Sequence, residues 1–269
     1  MTDRAVRPRT TVVTGARSGI GRATAALLAE RGERVIGIDL GESAVTADLG
    51  TPAGRTFAIA EIRRLCPLGV DALIECHGVA TTHDAPAILS INYFGAVALA
   101  EGLRPLLAAG RSPRVVIVSS NAALLTDDSA LVEACLQGDE GGARIRAASA
   151  ATDAAFVRQG GAYSASKRAL TRWIRRTAPR PDWAGAGILL NGIAPGVVVT
   201  AMTMPLLATA EGRQLLDRVT PLAVAEPAQP ADIALLLAFL ASPDNRYLVG
   251  QVPFCDGGAD VLLRGDAIV

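Results

Sequence analysis

The stretch Thr14-Gly-Ala-Arg-Ser-Gly-Ile-Gly21 joins two segments with different periodicities. Thr10 to Thr14 is a β-branched run typical of a strand, and the Ala- and Leu-rich segment from Gly21 to Arg31 indicates a helix. Glycines at such a turn allow close backbone approach, and the N-terminus of the helix offers N–H groups to an anion. Asp39 ends the next predicted strand, 18 residues after Gly21. The arrangement predicts a dinucleotide-binding unit rather than a plain strand–helix turn.

The alternation of strand and helix continues along the chain. Further strands are predicted at 34–39, 44–49, 71–76, 114–119, 187–191 and 251–255, and helices at 52–66, 88–109, 161–177 and 230–241. This order predicts an α/β fold with a parallel sheet and helices on both faces. No repeat or linker divides the chain, so residues 1–269 are expected to form one domain.

One segment interrupts the alternation. The 42 residues between Ser120 and Tyr163 carry no strand pattern. Helices are predicted at 129–137 and 143–158, separated by the glycine-rich residues 138–142. We therefore expect a helical insertion at about 124–160.

Composition excludes several classes of protein. The 26 basic and 26 acidic residues balance, so neither nucleic acid nor an anionic membrane is an expected partner. The first ten residues lack the apolar segment of a secretory signal, and no run of 18 apolar residues occurs. Four scattered cysteines and two histidines give no metal-ligand spacing. We expect a cytoplasmic protein with reduced thiols and without a metal.

The segment Tyr163-Ser-Ala-Ser-Lys167 places a phenol and an ammonium four residues apart, on one face of a predicted helix. Lys167 is the one lysine among the 26 basic residues. Arginine is a poor substitute for a compact ammonium that must lie close to a phenol and a sugar hydroxyl. This pair is therefore a candidate catalytic site rather than a solvated helix surface.

Asp39 indicates which dinucleotide would bind. A carboxylate at the end of the second strand accepts hydrogen bonds from the ribose hydroxyls of NAD and repels the 2′-phosphate of NADP. Arg17 argues in the other direction, because its guanidinium can pair with that phosphate; we give Asp39 more weight. Asp48 and Leu49 are candidates to flank the adenine, although Asp48 is nearly as typical of an ordinary strand end.

These motifs together resemble the classical short-chain dehydrogenases/reductases. The Gly-rich turn and the Tyr-x-x-x-Lys pair match, as do Asn191-Gly-Ile-Ala-Pro-Gly196 and Asp256-Gly-Gly258, all in the family's order. The resemblance spans nearly the whole chain. It implies a single NAD-binding domain of Rossmann type, with a seven-stranded, mostly parallel sheet in the order 3-2-1-4-5-6-7.

The resemblance also implies a catalytic set made of Asn92, Ser120, Tyr163 and Lys167. Tyr163 would exchange a proton with the substrate oxygen, its pKa being lowered by the Lys167 ammonium and by oxidised nicotinamide. Ser120, the second serine of a pair, would hold the substrate oxygen. Asn92, in Asn-Tyr-Phe-Gly95, would hold a water that relays the proton. Ser119 and Asn121 remain the alternatives to Ser120.

A larger set of positions is implied to bind the cofactor: Gly15, Arg17, Ser18, Gly19, Ile20, Gly21, Asp39, Asp48, Leu49, Gly78, Tyr163, Lys167, Pro195, Gly196, Val198 and Thr200. One motif departs from the family. Its Asn-Asn-Ala-Gly is here Glu75-Cys-His-Gly78. Gly78 keeps the close backbone approach, and His77 is expected to be structural.

Local strings at 36–39, 47–49 and 91–96, with the insertion, resemble the hydroxysteroid dehydrogenase/carbonyl reductase group of that family. This likeness favours NAD-dependent interconversion of a secondary alcohol and a ketone on a bulky apolar substrate, a 3α-hydroxysteroid first of all. An apolar segment at 197–220 would cap such a substrate or would only pack the lid on the domain. Terpene alcohols, cyclic dihydrodiols and a non-catalytic NAD-binding role are the alternatives. The resemblance further implies a homodimer with the insertion at or near the subunit contact.

Overall fold

Seven strands form one sheet in the computed structural model, which describes residues 7–80, 83–125, 128–154, 157 and 160–267. The strands are β1 (Thr10–Thr14), β2 (Arg34–Asp39), β3 (Val45–Thr46), β4 (Ala72–Glu75), β5 (Arg114–Val118), β6 (Leu189–Pro195) and β7 (Phe254–Cys255). Their order is β3-β2-β1-β4-β5-β6-β7, which confirms the expected topology. Each of the six strand pairs is parallel, so the sheet is parallel throughout rather than mostly so.

Two layers of helices bury the sheet because its central strands are apolar on both faces. Helices α1 (Gly19–Glu30) and α10 (Pro230–Ala241) cover one face, where Leu28 and Leu237 join the core. On the other face lie α2 (Pro52–Leu65), α4 (Ala96–Ala108) and α7 (Gly161–Thr177). Three shorter helices had not been predicted: α8 (Met204–Leu207), α9 (Ala210–Val219) and α11 (Ala259–Arg264).

The lengths of three strands differ from those predicted from the sequence. β6 was predicted at 187–191 but continues to Pro195, because its later residues pair with β5 and then with β7. β3 ends early, since Asp48 turns the chain by accepting the Gly50 N–H at 2.8 Å. β7 keeps two of its five predicted residues. Local propensity did not reveal these limits because neighbouring strands set them.

The helix predicted at 88–109 begins earlier and changes its winding. It consists of α3 (Ala85–Leu89), a π-helical segment (Ser90–Gly95) and α4. Asp84 caps it by accepting the Ala87 N–H at 2.6 Å. Among the described residues this one helix is long and apolar enough to cross a membrane, but 61% of its apolar 18-residue window is buried inside the protein, as in a core helix.

The insertion contains α5 (Ser129–Leu136) and α6 (Glu140–Ala150). The prediction that residues 138–142 separate the two helices was wrong for residues 140–142, which belong to α6. Gly141 and Gly142 lie in the first turn of α6, because the Asp139 carboxylate accepts the Gly142 N–H at 2.8 Å. α6 also ends at Ala150, before the predicted limit of 158; residues 155, 156, 158 and 159 lie outside the described residues.

Candidate active site

The Gly-rich turn forms one wall of a cleft at the carboxyl ends of the strands. Gly15 and Gly19 have φ values of +64° and +48°, which L side chains rarely adopt. A Cβ on Gly21 would lie 2.1 Å from the Gly15 carbonyl oxygen. The Ser18 side chain does not cap α1. The N-terminal N–H groups of α1 therefore face the cleft, an arrangement that fits a dinucleotide pyrophosphate.

Fourteen of the sixteen predicted cofactor positions line this cleft: Gly15, Ser18, Gly19, Ile20, Asp39, Asp48, Leu49, Gly78, Tyr163, Lys167, Pro195, Gly196, Val198 and Thr200. Gly21 lies underneath, packed on the turn, and does not line it. Sequence reasoning missed several other lining residues, among them Ala47, Gly50, Ile91 and Thr203. Nothing in their own residue type signals binding; they reach the cleft through the positions of their loops.

At the rim, Asp39 and Arg17 lie side by side. The Asp39 carboxylate accepts the backbone N–H of Arg17 at 3.0 Å and that of Gly41 at 3.2 Å. The Arg17 side chain lies against Gly41, where an added Cβ would be 2.1 Å from a guanidinium nitrogen. Arg17 is therefore beside the cleft rather than among its lining residues, and it stands where a 2′-phosphate would meet Asp39.

The predicted catalytic groups converge at the middle of the cleft. Tyr163 and Lys167 lie on α7, and the Lys167 ammonium is 5.8 Å from the centre of the Tyr163 ring. Lys167 donates to the Val118 carbonyl oxygen at 2.9 Å, which holds it at the end of β5. Ser120 follows β5 and lines the same cleft, and its hydroxyl is near enough to the Tyr163 phenol to lower the pKa of that group. These three side chains form one connected cluster.

Ser119 faces away from that cluster. Its hydroxyl donates to the Lys167 carbonyl oxygen at 3.0 Å and lies 2.8 Å from the Thr171 hydroxyl. It thereby ties β5 to α7. Ser120 is left as the serine whose hydroxyl reaches the phenol. The geometry favours Ser120 over Ser119 as the group that would hold a substrate oxygen.

The ionisation of the cluster differs in one respect from the expectation. Burial raises the pKa of Tyr163, and the hydrogen bond from Ser120 lowers it only in part. Burial therefore outweighs the expected lowering, and the Lys167 ammonium is hydrogen-bonded to Val118 rather than to the phenol. Burial lowers the pKa of Lys167 to about 8, partly opposed by Cys76 and Glu75. Oxidised nicotinamide, when bound, would add the positive charge that favours a phenolate.

Asn92 lies behind the cleft, in the π-helical segment. Its amide nitrogen donates to the Val79 carbonyl oxygen at 2.9 Å, and its amide oxygen accepts the Val79 N–H at 2.8 Å. The amide nitrogen also lies 3.3 Å from the Ser166 hydroxyl. Asn92 thus fixes the turn that carries Gly78. Its role in a proton relay stays a prediction.

In the divergent turn Glu75-Cys-His-Gly78, Glu75 is buried and the next three residues line the cleft. His77 Nδ1 lies 2.7 Å from the Thr14 hydroxyl, and burial above all lowers the pKa of His77 to about 4. This contact fits the structural role expected of His77. Burial raises the pKa of Glu75 well above its usual value, although Lys167 opposes the shift. The Glu75 carboxyl has no hydrogen-bond partner among the described residues.

The segment 197–220 contributes in part to the cleft. Val198, Thr200, Met202 and Thr203 line it, whereas α8 and α9 do not. Met204 and Leu206 are partly exposed on α8. Within the described part of the chain, no group of three or more His, Cys, Asp or Glu side chains is placed to hold a metal.

Comparison with known proteins agrees with this geometry. Residues 129–260 match a family described as enoyl-(acyl carrier protein) reductase. The chain belongs to the short-chain dehydrogenase/reductase family. It is 36% identical to a 3-alpha-hydroxysteroid dehydrogenase/carbonyl reductase of Comamonas testosteroni, over 94% of this chain and 97% of that protein.

Two further relatives bear on the site. A cis-4-hydroxycyclohexanecarboxylate dehydrogenase of Sinomonas cyclohexanicum is 33% identical, over 93% of this chain and 96% of that protein. The crystal structure of a 3-alpha-hydroxysteroid dehydrogenase from Pseudomonas sp. B-0831, complexed with NADH, superposes with a TM-score of 0.84. It shares 38% identity and covers 96% of this chain and 100% of its own.

Proposed function

We propose that this protein is an NAD(H)-dependent oxidoreductase that interconverts a secondary alcohol and a ketone on a bulky apolar substrate. The observation that carries the proposal is the cluster of Ser120, Tyr163 and Lys167 in the same cleft as the Gly-rich turn. A non-catalytic NAD-binding protein needs the turn but not the cluster. The relative solved with NADH supports the choice of cofactor.

The residues present define the proton chemistry. The Tyr163 oxygen takes the proton of the substrate hydroxyl in the oxidative direction and returns it in the reductive one. The Ser120 hydroxyl orients the substrate oxygen beside the phenol. The Lys167 ammonium would hold the cofactor ribose and would add positive charge near the phenolate. When bound in the cleft, the nicotinamide would supply the hydride chemistry.

We propose a 3α-hydroxysteroid as the first substrate to test. Apolar side chains of Val79, Val198 and Met202 line the cleft, which suits a fused-ring hydrocarbon. The relatives named for ring alcohols, a hydroxysteroid and a hydroxycyclohexanecarboxylate, support this class. Terpene alcohols and cyclic dihydrodiols share the same chemistry and remain the second candidates.

The test is the formation of NADH, followed by its fluorescence, with a panel of 3α- and 3β-hydroxysteroids, terpene alcohols and cyclic dihydrodiols. The proposal predicts turnover that is fastest with a 3α-hydroxysteroid and lost with its 3β-epimer. Turnover with another ring alcohol and with no hydroxysteroid would assign the protein to that other class of substrate. NADH binding without turnover on any alcohol would favour the non-catalytic role.

We propose a cytoplasmic homodimer as the working state. Apolar side chains exposed on and after α10, at Leu235, Phe239, Tyr247 and Leu248, are surface that a second copy would bury. The insertion packs its own Leu131, Val132 and Cys135 into the subunit core. Its place at the contact stays a prediction. Light scattering of the intact chain, and of a chain lacking residues 127–158, distinguishes a dimer that needs the insertion from one that does not.

A further inference from the structure

A buried arginine connects the insertion to the cleft. Arg55, on α2, is 6% exposed, and its guanidinium points into the space between three segments. Its Nε donates to the Leu49 carbonyl oxygen at 2.8 Å. Its Nη2 donates to the carbonyl oxygens of Ser90 at 2.8 Å and of Gly50 at 3.2 Å. One side chain therefore holds the loop after β3 and the start of the π-helical segment together.

The counter-charge comes from the insertion. Glu140, the first residue of α6, accepts from Arg55 Nη1 at 2.7 Å and from Nη2 at 2.9 Å, a bidentate pair. Arg144, one turn later, donates to the Ser90 hydroxyl at 2.6 Å. Burial alone would raise the pKa of Glu140, but hydrogen bonds from Arg55 and Ser90 outweigh it and leave the pKa below its usual value.

The segments held by Arg55 are also cleft walls. Ala47, Asp48, Leu49 and Gly50 line the end of the cleft next to Asp39, and Ile91 lies opposite them. The loop at 47–50 and the π-helical segment are closely packed. A Cβ on Gly50 would be 2.8 Å from an Ile91 carbon, and one on Gly95 would be 2.8 Å from the Leu49 carbonyl oxygen. A shift of the Arg55 guanidinium therefore moves the cleft wall.

We infer that Glu140 of the insertion is a positioning residue for the adenosine half of the cofactor, acting through Arg55. The inference rests on the proposed function, which places adenosine between Asp39 and the loop at 47–50. Without the Glu140 carboxylate, Arg55 keeps a buried positive charge with carbonyl partners only. The Arg55 guanidinium then moves toward solvent, and the Leu49 and Gly50 carbonyl groups that it binds move with it. The insertion would thus serve cofactor binding inside its own subunit.

The experiment is NADH titration by fluorescence with Glu140→Gln in the full chain, which keeps the size of the side chain and removes its charge. We expect the Kd for NADH to rise about tenfold, the equivalent of roughly one hydrogen bond. Glu133→Gln is the matched control. It removes an insertion glutamate that pairs with Arg172 at 3.3 Å and Arg176 at 3.5 Å, away from the cleft. Its Kd should match that of the parent.

Two further measurements distinguish a specific effect on adenosine binding from a general loss of the active-site structure. Binding of ADP-ribose should weaken as much as that of NADH, and kcat at saturating NAD should stay within about twofold of the parent. Glu140→Asp, which keeps the charge, should recover part of the affinity.

A folded Glu140→Gln protein, checked by circular dichroism, with the parent's Kd would overturn the inference. An equal loss in Glu133→Gln, or a kcat that falls with unchanged Kd, would overturn it as well. An intact chain that binds no NADH would instead refute the proposed function, and with it this role of Glu140.

Discussion

Replacing Asp39 by alanine tests how the protein selects its cofactor. The Asp39 carboxylate ends β2 and is held by the N–H groups of Arg17 and Gly41, at 3.0 and 3.2 Å. Because both contacts fix it, the carboxylate cannot turn away from a 2′-phosphate. The same two contacts leave its remaining acceptor positions free for the hydroxyls of a ribose.

The size of the effect follows from charge and hydrogen bonding. Two unit charges 4 Å apart interact by about 4 kcal/mol near a protein surface. Hydrogen bonds to a charged group contribute about 1.5–3 kcal/mol each. Even after partial screening by solvent and salt, the repulsion of the phosphate and the hydrogen bonds to the ribose together favour NAD over NADP by about 2 kcal/mol or more, which is roughly 30-fold. Asp39→Ala should remove most of it, and Arg17 then meets the phosphate without competition.

The assay is the ratio of kcat/KM for NAD to that for NADP in the parent and in Asp39→Ala. Asp39→Asn, which keeps the shape and loses the charge, should give an intermediate ratio. Adding Arg17→Ala to Asp39→Ala should abolish the gain with NADP. A parent protein that prefers NADP, or an unchanged ratio in Asp39→Ala, would refute the reasoning.

Four further predictions have separate outcomes. Ser120→Ala should lower kcat by about a hundredfold, the loss typical of one oriented hydrogen-bond donor. Ser119→Ala should keep most of the activity, because the Ser119 hydroxyl contacts α7 instead. Equal losses in the two variants would contradict the assignment of Ser120. Lys167→Arg should lose about a hundredfold or more despite its charge, since a buried ammonium bound to Val118 leaves no room for a guanidinium. In the parent, NADH binding should weaken as the pH rises through about 8, where Lys167 loses its proton; a flat titration across that pH would count against a charged Lys167. Asp71→Asn should lower the free energy of unfolding by about 3 kcal/mol in a urea titration, with little change in kcat.

The sign of the Asp71 effect follows from its burial and its partners. Burial alone would raise the pKa of Asp71. Backbone hydrogen bonds from Arg111 at 2.6 Å and Thr10 at 2.8 Å, together with the Arg111 and Arg7 side chains, lower it below the usual value. The ionised form therefore stabilises the fold above the ordinary aspartate range. That contribution should fade as the pH falls through the folded pKa, and it should be absent from Asp71→Asn.

The fold and the cleft were predictable because their signals are local. A β-branched strand, a Gly-rich turn and an acid 18 residues later define the binding unit within one short segment. The single lysine, four residues from Tyr163, similarly marks the cluster on one helix face. The residues lining the cleft from distant loops, such as Gly50 and Thr203, carry no such signal. Their place depends on tertiary packing.

Features set by partners far along the chain were missed or mistaken. Arg55 and Glu140 form an ion pair although they are 85 positions apart in the sequence, and nothing in either residue type predicts that contact. The glycines at 141 and 142 suggested a break, yet the Asp139 cap starts a helix there. The pKa of Tyr163 is raised rather than lowered because the phenol is buried, and that burial depends on how α7 packs.

The most direct test of the account is Tyr163→Phe, which removes one oxygen and keeps the ring. NADH affinity is measured by fluorescence titration, and oxidation of a 3α-hydroxysteroid is measured on the same preparation. We predict that the Kd for NADH stays within about twofold of the parent while kcat falls by about 10²–10⁴, the range for loss of a general acid–base group. Turnover near the parent rate would contradict the assignment of Tyr163 as the acid–base group, and with it the central claim.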